Sequence, residues 1–355
     1  MQVGVTMPMG KHPLRIYPEM ARAAEDAGMD SVWSYEVYEN PLIVLATAAL
    51  STSRIQLGTG VVTSLSRTPF ELANAAADVD QLSEGRLLLG VGMGIPGLMN
   101  TLHGAAVDHP LSRMAEYARA LRQCWDYLSG GGAREFAGEH YRFAPLPGNP
   151  LGTRAMARRI PLYLAGMNPA MIRVAGQYGD GLVGGGFSPE FVTTTVRPNL
   201  ARGAERAGRN PADIDVVTQV VCCVSTDRDE ALRRARIHVG QLVLNPVSDG
   251  VVAAHGLEPQ RDEVRAALMA GGPAALADVT ADELVETFSI AGSPQEANEQ
   301  LTRWQGVVDH VMLHPPYVPP LSAEETLDAY FQILAAFHRG PQPNQQSQNV
   351  IGATR

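Results

Sequence analysis

Cysteine, lysine and long apolar runs are what this 355-residue sequence has least of, and each scarcity excludes something. Cys124, Cys222 and Cys223 are odd in number and two of them are adjacent, so they build neither a disulfide framework nor a zinc site. A reducing, cytoplasmic setting is expected. Lys11 is the single lysine, every other basic side chain is arginine, and the formal net charge is −9. Nucleic acid is held by clustered Lys and Arg and is not expected as a partner. No apolar run reaches the length that spans a bilayer, so no membrane partner is expected. The opening Met1-Gln2-Val3-Gly4-Val5-Thr6-Met7-Pro8 lacks the basic flank and long apolar stretch of a secretion signal and reads as a buried strand. There is no G-x-S-x-G elbow. His103, His109, His140 and His255 fall in loops or hairpins without metal-ligand spacing, so no metal is expected.

What the sequence does have is a regular alternation of strand and helix signals. Strands are expected at Val3–Met7, Ser31–Tyr35, Ile55–Thr63, Arg86–Gly92, Pro161–Ala165, Gly181–Gly184, Ile214–Val224 and His310–Leu313, with helical periodicity between them. Eight such units are the number that closes a parallel sheet into a (β/α)8 TIM barrel, an α/β fold, here over residues 1–340. Asn245–Phe288 is punctuated by Pro and Gly and reads as a capping insertion over the site. Residues 341–355, rich in Gln, Asn and Pro, read as a flexible, disordered tail.

Glycine gathers at the strand ends. Gly92-Met-Gly94-Ile-Pro-Gly97 matches the dinucleotide pattern, but it follows the fourth strand and not the first, and no helix is expected to open directly after Gly97. Ala165-Gly166-Met167-Asn168-Pro169 ends the fifth strand with an N-cap and a proline, and Gly184-Gly185-Gly186 ends the sixth. Two glycine-bearing strand ends feeding helix N-termini suit a phosphate; two ordinary βα turns would look the same. At the C-terminal face of a barrel, Glu36 after the second strand, His12 after the first and His314 at the eighth hold catalytic positions. A mouth with much glycine and few reactive side chains fits chemistry carried by a bound cofactor and a small organic substrate.

Leu57-Gly-Thr-Gly-Val-Val62, Arg67-Thr-Pro69, Asp80-Gln-Leu-Ser-Glu-Gly-Arg86, Leu89-Gly-Val-Gly-Met-Gly94 and Ala175-Gly-Gln-Tyr-Gly-Asp-Gly181 stand in an order that resembles the luciferase-like monooxygenase superfamily. Within it the chain is most similar to the coenzyme F420-dependent oxidoreductase branch that includes methylenetetrahydromethanopterin reductase. The resemblance implies hydride transfer between the deazaflavin C5 and a small organic substrate. It also implies a non-prolyl cis peptide at Gly60–Val61 backing the ring. Met93, Gly94, Ala165, Gly166, Met167, Asn168, Gly184, Gly185 and Gly186 would then surround the phosphate-bearing tail. Members are commonly homodimers. The family's Asp-His pair after the second strand is Tyr35-Glu36 here. Glu36, with His314 or His12, is therefore expected to orient the substrate or move its proton. An FMN-dependent monooxygenase and a cofactor-binding protein without catalysis are the alternatives on the same fold.

Overall fold

Several helices begin where the sequence supplies a cap. Asn40-Pro41, Thr68-Pro69, Asn168-Pro169, Ser188-Pro189 and Ser293-Pro294 each place a side-chain oxygen on a free N–H of the first turn, with proline at the first helical position. In the computed structural model, residues 1–9, 12–37, 39–131, 135–148, 152–154 and 159–339 are described. The strands are β1 (Gln2–Thr6), β2 (Ser31–Ser34), β3 (Gln56–Thr59), β4 (Val62–Thr63), β5 (Leu87–Gly92), the hairpin pair β6 (Phe136–Ala137) and β7 (Arg142–Phe143), β8 (Leu162–Ala165), β9 (Gly181–Gly185), β10 (Asp215–Val224), β11 (Ser289–Gly292) and β12 (His310–His314).

The helices are α1 (Tyr17–Asp26), α2 (Pro41–Ser51), α3 (Pro69–Leu82), α4 (Pro96–His103), α5 (Pro110–Leu128), α6 (Pro169–Tyr178), α7 (Pro189–Phe191), α8 (Arg197–Arg206), α9 (Arg228–Val243), α10 (Asp249–Ala254), α11 (Glu258–Gly271), α12 (Leu276–Val279), α13 (Asp282–Phe288), α14 (Pro294–Leu301) and α15 (Ala323–Ala336). A π turn, Val192–Val196, joins α7 to α8.

All barrel pairings are parallel. β1 lies between β12 and β2, β2 beside β3, β5 beside β8, and β9 meets β10, which returns to β12 and closes the circle. β3 and β4 share one position in that circle: both pair with β5, on either side of a break at Gly60–Val61. The (β/α)8 barrel is thus present as expected. β11 was not expected; it extends the sheet by pairing with Val221–Val224 of β10. Its outer edge is filled by a side chain: Gln300 accepts from the Ala291 N–H at 3.0 Å and donates to the Ala291 carbonyl at 2.8 Å. A second correction concerns Gly97. A helix does open there, since α4 begins at Pro96. The dinucleotide reading still fails, because β5 fills the fourth barrel position and not the first.

The barrel interior is packed by Trp33, Leu88, Tyr163, Val183, Val217 and Met312, with Val61 against them. Trp33 dictates the glycine opposite it: a Cβ on Gly58 would stand 2.2 Å from the indole ring. The larger apolar layer lies between strands and helices. Within Asn245–Phe288, the first ten residues reach the barrel mouth, while α12 and α13 pack along α9. Ser188 in the loop after β9 lies 2.7 Å from His255 Nε2 and ties α10 down beside that mouth. The tail over 341–355 lies outside the described residues. Among the described residues, no helix is long and apolar enough to cross a membrane.

Candidate active site

The Gly60–Val61 peptide is cis, at the position the sequence resemblance gave. The break is tied to β2 on both flanks: Gly60 N donates to Ser34 O at 2.8 Å and Glu36 N to Val61 O at 3.2 Å. The Glu36 carboxylate completes the clamp. One oxygen accepts from Thr63 N at 2.6 Å and Thr63 Oγ1 at 2.7 Å, and the other pairs with the Arg67 guanidinium. Both charged side chains are nearly buried, 12% exposed for Glu36 and 11% for Arg67. This corrects the expectation for Glu36. The interrupted strand leaves the Thr63 N–H and the Arg67 charge in need of partners. The carboxylate satisfies both through charge-assisted bonds, so its oxygens are engaged within the wall.

Behind this wall lies a cavity of about 210 Å³. Gly60 and Val61 form one side, and Ala165, Gly166, Met167, Gly184, Gly185 and Gly186 form the rim opposite. Gln219, Val221, His238, Leu242 and Val247 complete it. Gly186 turns the chain away with φ +69°, where a side chain would be strained. Met167 and Val247 also line a second, outer cleft of about 790 Å³, so the two spaces adjoin. Asn168 and Pro169, at the start of α6, belong to the outer cleft together with Phe191, Pro246 and Ala253. Among the described residues lining it there is no Lys or Arg, and the one acid, Asp249, pairs with Arg261 at 3.1 Å. Met93 and Gly94 line neither space. Met93 is buried with its sulfur accepting from Ser64 Oγ at 3.3 Å, and Gly94, φ +75°, makes the turn that presents Ile95 and Gly97 instead.

None of the three expected catalytic residues, Glu36, His12 and His314, lines either cavity. His12 is half-buried in the loop after β1 and lines neither space. His314 is buried at the end of β12, its Nδ1 2.6 Å from Thr6 Oγ1 and hydrogen-bonded to the Tyr35 hydroxyl. Its ring meets Tyr35, Tyr317 and His238 edge to face, with centroids 5.4, 5.2 and 5.1 Å away. Burial holds its pKa well below the usual histidine range, with His238 adding to the effect.

The residues missed from sequence are Gln219 and His238. Gln219 is a polar position inside the apolar run of β10, and His238 sits on the buried stripe of α9 with Ala231 and Ala235. The latter pattern reads as core; only the cavity shows that the stripe ends at a site. Burial pushes the His238 pKa down to about 3, so the ring is neutral at physiological pH. Its Nδ1 accepts from Tyr317 N at 3.4 Å.

Metal chemistry finds one grouping among the described residues, Glu116, Glu139 and His140, at the β6–β7 hairpin. Glu116 is spent there on the N–H groups of Glu139 and His140, at 3.0 and 2.9 Å.

The family model for luciferase-like monooxygenases matches residues 1–311. A 5,10-methylenetetrahydromethanopterin reductase of Archaeoglobus fulgidus is 30% identical over 287 residues, covering 79% of this chain and 83% of the relative. Among solved structures, the coenzyme F420-dependent tetrahydromethanopterin reductase of Methanopyrus kandleri has a TM-score of 0.75 at 22% identity, covering 94% of this chain and 98% of that one. An F420-dependent secondary alcohol dehydrogenase bound to an F420–acetone adduct has a TM-score of 0.71 at 18% identity, covering 95% and 98%. The two structures share the fold. The chain belongs to the luciferase-like monooxygenase family and is an oxidoreductase of that family.

Proposed function

We propose that the protein is a coenzyme F420-dependent oxidoreductase acting on a small organic substrate. The observation that carries this reading is the inner cavity. It is lined by Gly60 and Val61 of the interrupted third strand position and by the glycine-bearing ends of β8 and β9, where the lack of side chains lets a ring approach the backbone. When bound, the deazaflavin supplies a hydride acceptor or donor at C5. The chain's own residues would do the rest. Gly60 and Val61 support the ring, Gln219 offers its amide, and Met167, Leu242 and Val247 exclude water at the junction with the outer cleft. The first turn of α6 would receive the phosphate of the tail, favoured by the helix dipole. The reductase relative supports this assignment.

A second reading, an FMN-dependent monooxygenase, is favoured by the lack of lysine or arginine among the described residues of the outer cleft, which suits a short tail with one phosphate. Titration of the purified protein with each cofactor separates the two. The expected result is tight F420 binding with substrate-dependent bleaching of its absorbance. Tight FMN binding with substrate-dependent oxygen uptake would overturn the proposal. F420 binding without turnover across a broad substrate panel would instead indicate a cofactor-binding protein without catalysis. The three buried free cysteines fit a cytoplasmic setting.

A further inference from the structure

Hydride transfer to a polar double bond leaves negative charge on the heteroatom, and a site that performs it needs a donor aimed at that atom. Glu36 is consumed by Thr63 and Arg67, and His314 is enclosed by Thr6, Tyr35 and Tyr317. Among the residues lining the inner cavity, His238 alone has a proton on a ring nitrogen to offer, and the Gln219 amide is the other polar side chain. The surroundings of His238 also select its tautomer. Nδ1 accepts the Tyr317 N–H, so the neutral ring carries its hydrogen on Nε2. The ring is held by contact with His314 and Tyr317, both at centroid distances of 5.1 Å. It is 4% exposed, and α9 cannot withdraw it without disturbing Ala231, Ala235 and Leu242 on the same face.

We propose that His238 is a catalytic residue of this site: a neutral imidazole whose Nε2–H donates a hydrogen bond to the heteroatom X of a substrate C=X group. This rests on the F420 reading. In the reducing direction, a hydride from the reduced deazaflavin forms the new C–H bond, the C=X π pair moves onto X, and the cofactor is left oxidised. X takes up the proton that this oxidation releases, and His238 keeps its own hydrogen throughout. Burial keeps the ring neutral, so it acts as a hydrogen-bond donor and not as the source of the proton.

The test uses full-length protein labelled with ¹⁵N-histidine, with acetone, cyclohexanone and benzaldehyde as carbonyl probes. Without ligand, His238 is expected as the Nε2–H tautomer from pH 5 to 9. In the F420-loaded protein, its Nε2–H proton should move downfield on addition of at least one probe. H238L should bind F420 within about threefold of wild type, lose that response, and reduce the same probe about 10²–10³-fold more slowly in kcat. H238Q, which keeps an N–H donor, should recover part of the rate. An imidazolium titrating in that range overturns the inference, as does an F420-loaded protein unresponsive to all three probes. H238L with wild-type kcat, or H238Q no better than H238L, overturns it too. Failure of wild-type protein to bind F420 would instead overturn the cofactor reading.

Discussion

Glu36 shows how one carboxylate can look catalytic from its place in the chain and be structural in its contacts. It follows β2 at the barrel mouth, where polar residues read as functional. Yet its oxygens are bound to Thr63 N, Thr63 Oγ1 and Arg67. Replacing it with glutamine would set an amide N–H₂ or a shortened contact against the nearly buried Arg67. Removing one partner of a buried pair costs about 3 kcal/mol or more. For a chain of this length that is a fall in melting temperature of roughly 4 °C or more. E36Q should therefore lower stability and weaken F420 affinity together, since Thr63 and the Gly60–Val61 wall are held by the same clamp. The double variant E36M/R67M should recover much of the stability, because no unpaired charge remains. A fully stable E36Q with only kcat reduced, by thermal melts and F420 titration, would return Glu36 to a catalytic role.

Strand β12 carries the same lesson across an element. It begins with His310 and ends with His314, both buried, and His238 packs against its far end. His310 and His238 are pushed down to about 3 by desolvation, and His314 is lowered by the same cause. Each ring stays neutral in the fold but titrates near 6.5 once unfolded. Between those values the unfolded chain binds more protons, so stability is full above about pH 6.5 and falls as pH drops toward 3. Each group contributes about 1.4 kcal/mol per pH unit within that window. Melting temperature should decline steeply from pH 6.5 to 5; a flat profile there would show that these rings already carry protons in the fold. Strand β12 itself was legible as an apolar run, but the state of its histidines was not, because it depends on Tyr35, Thr6 and Tyr317, which reach it from other elements. The short elements were harder to read. β11 has four residues and pairs with one strand, and α4 starts inside a glycine-proline turn that resembles a loop. The βα rhythm and the glycine rims survived such errors because the period of the hydrophobic pattern and the cap-plus-proline starts repeat through the chain.

At the scale of the whole molecule, the net charge of −9 opposes the approach of two copies unless they meet on a face without charge. Helix α2, Pro-Leu-Ile-Val-Leu-Ala-Thr-Ala-Ala-Leu-Ser, has no charged residue, and its outer side exposes Ile43 by 54% and Leu50 by 75%. On α3, packed beside it, Phe70 and Leu82 are 39% and 46% exposed. We infer that this face joins two copies of the chain in a homodimer, because an apolar patch meeting its own symmetry mate needs no complementary partner. The inner cavity is built from other elements, so the two properties can be separated. The double variant I43D/L50D should elute as a monomer in size-exclusion chromatography with light scattering, where the wild type should elute as a dimer. Its F420 affinity should stay within about threefold. A wild type that is already monomeric at micromolar concentration, or a variant that remains dimeric, would show that this face has another use.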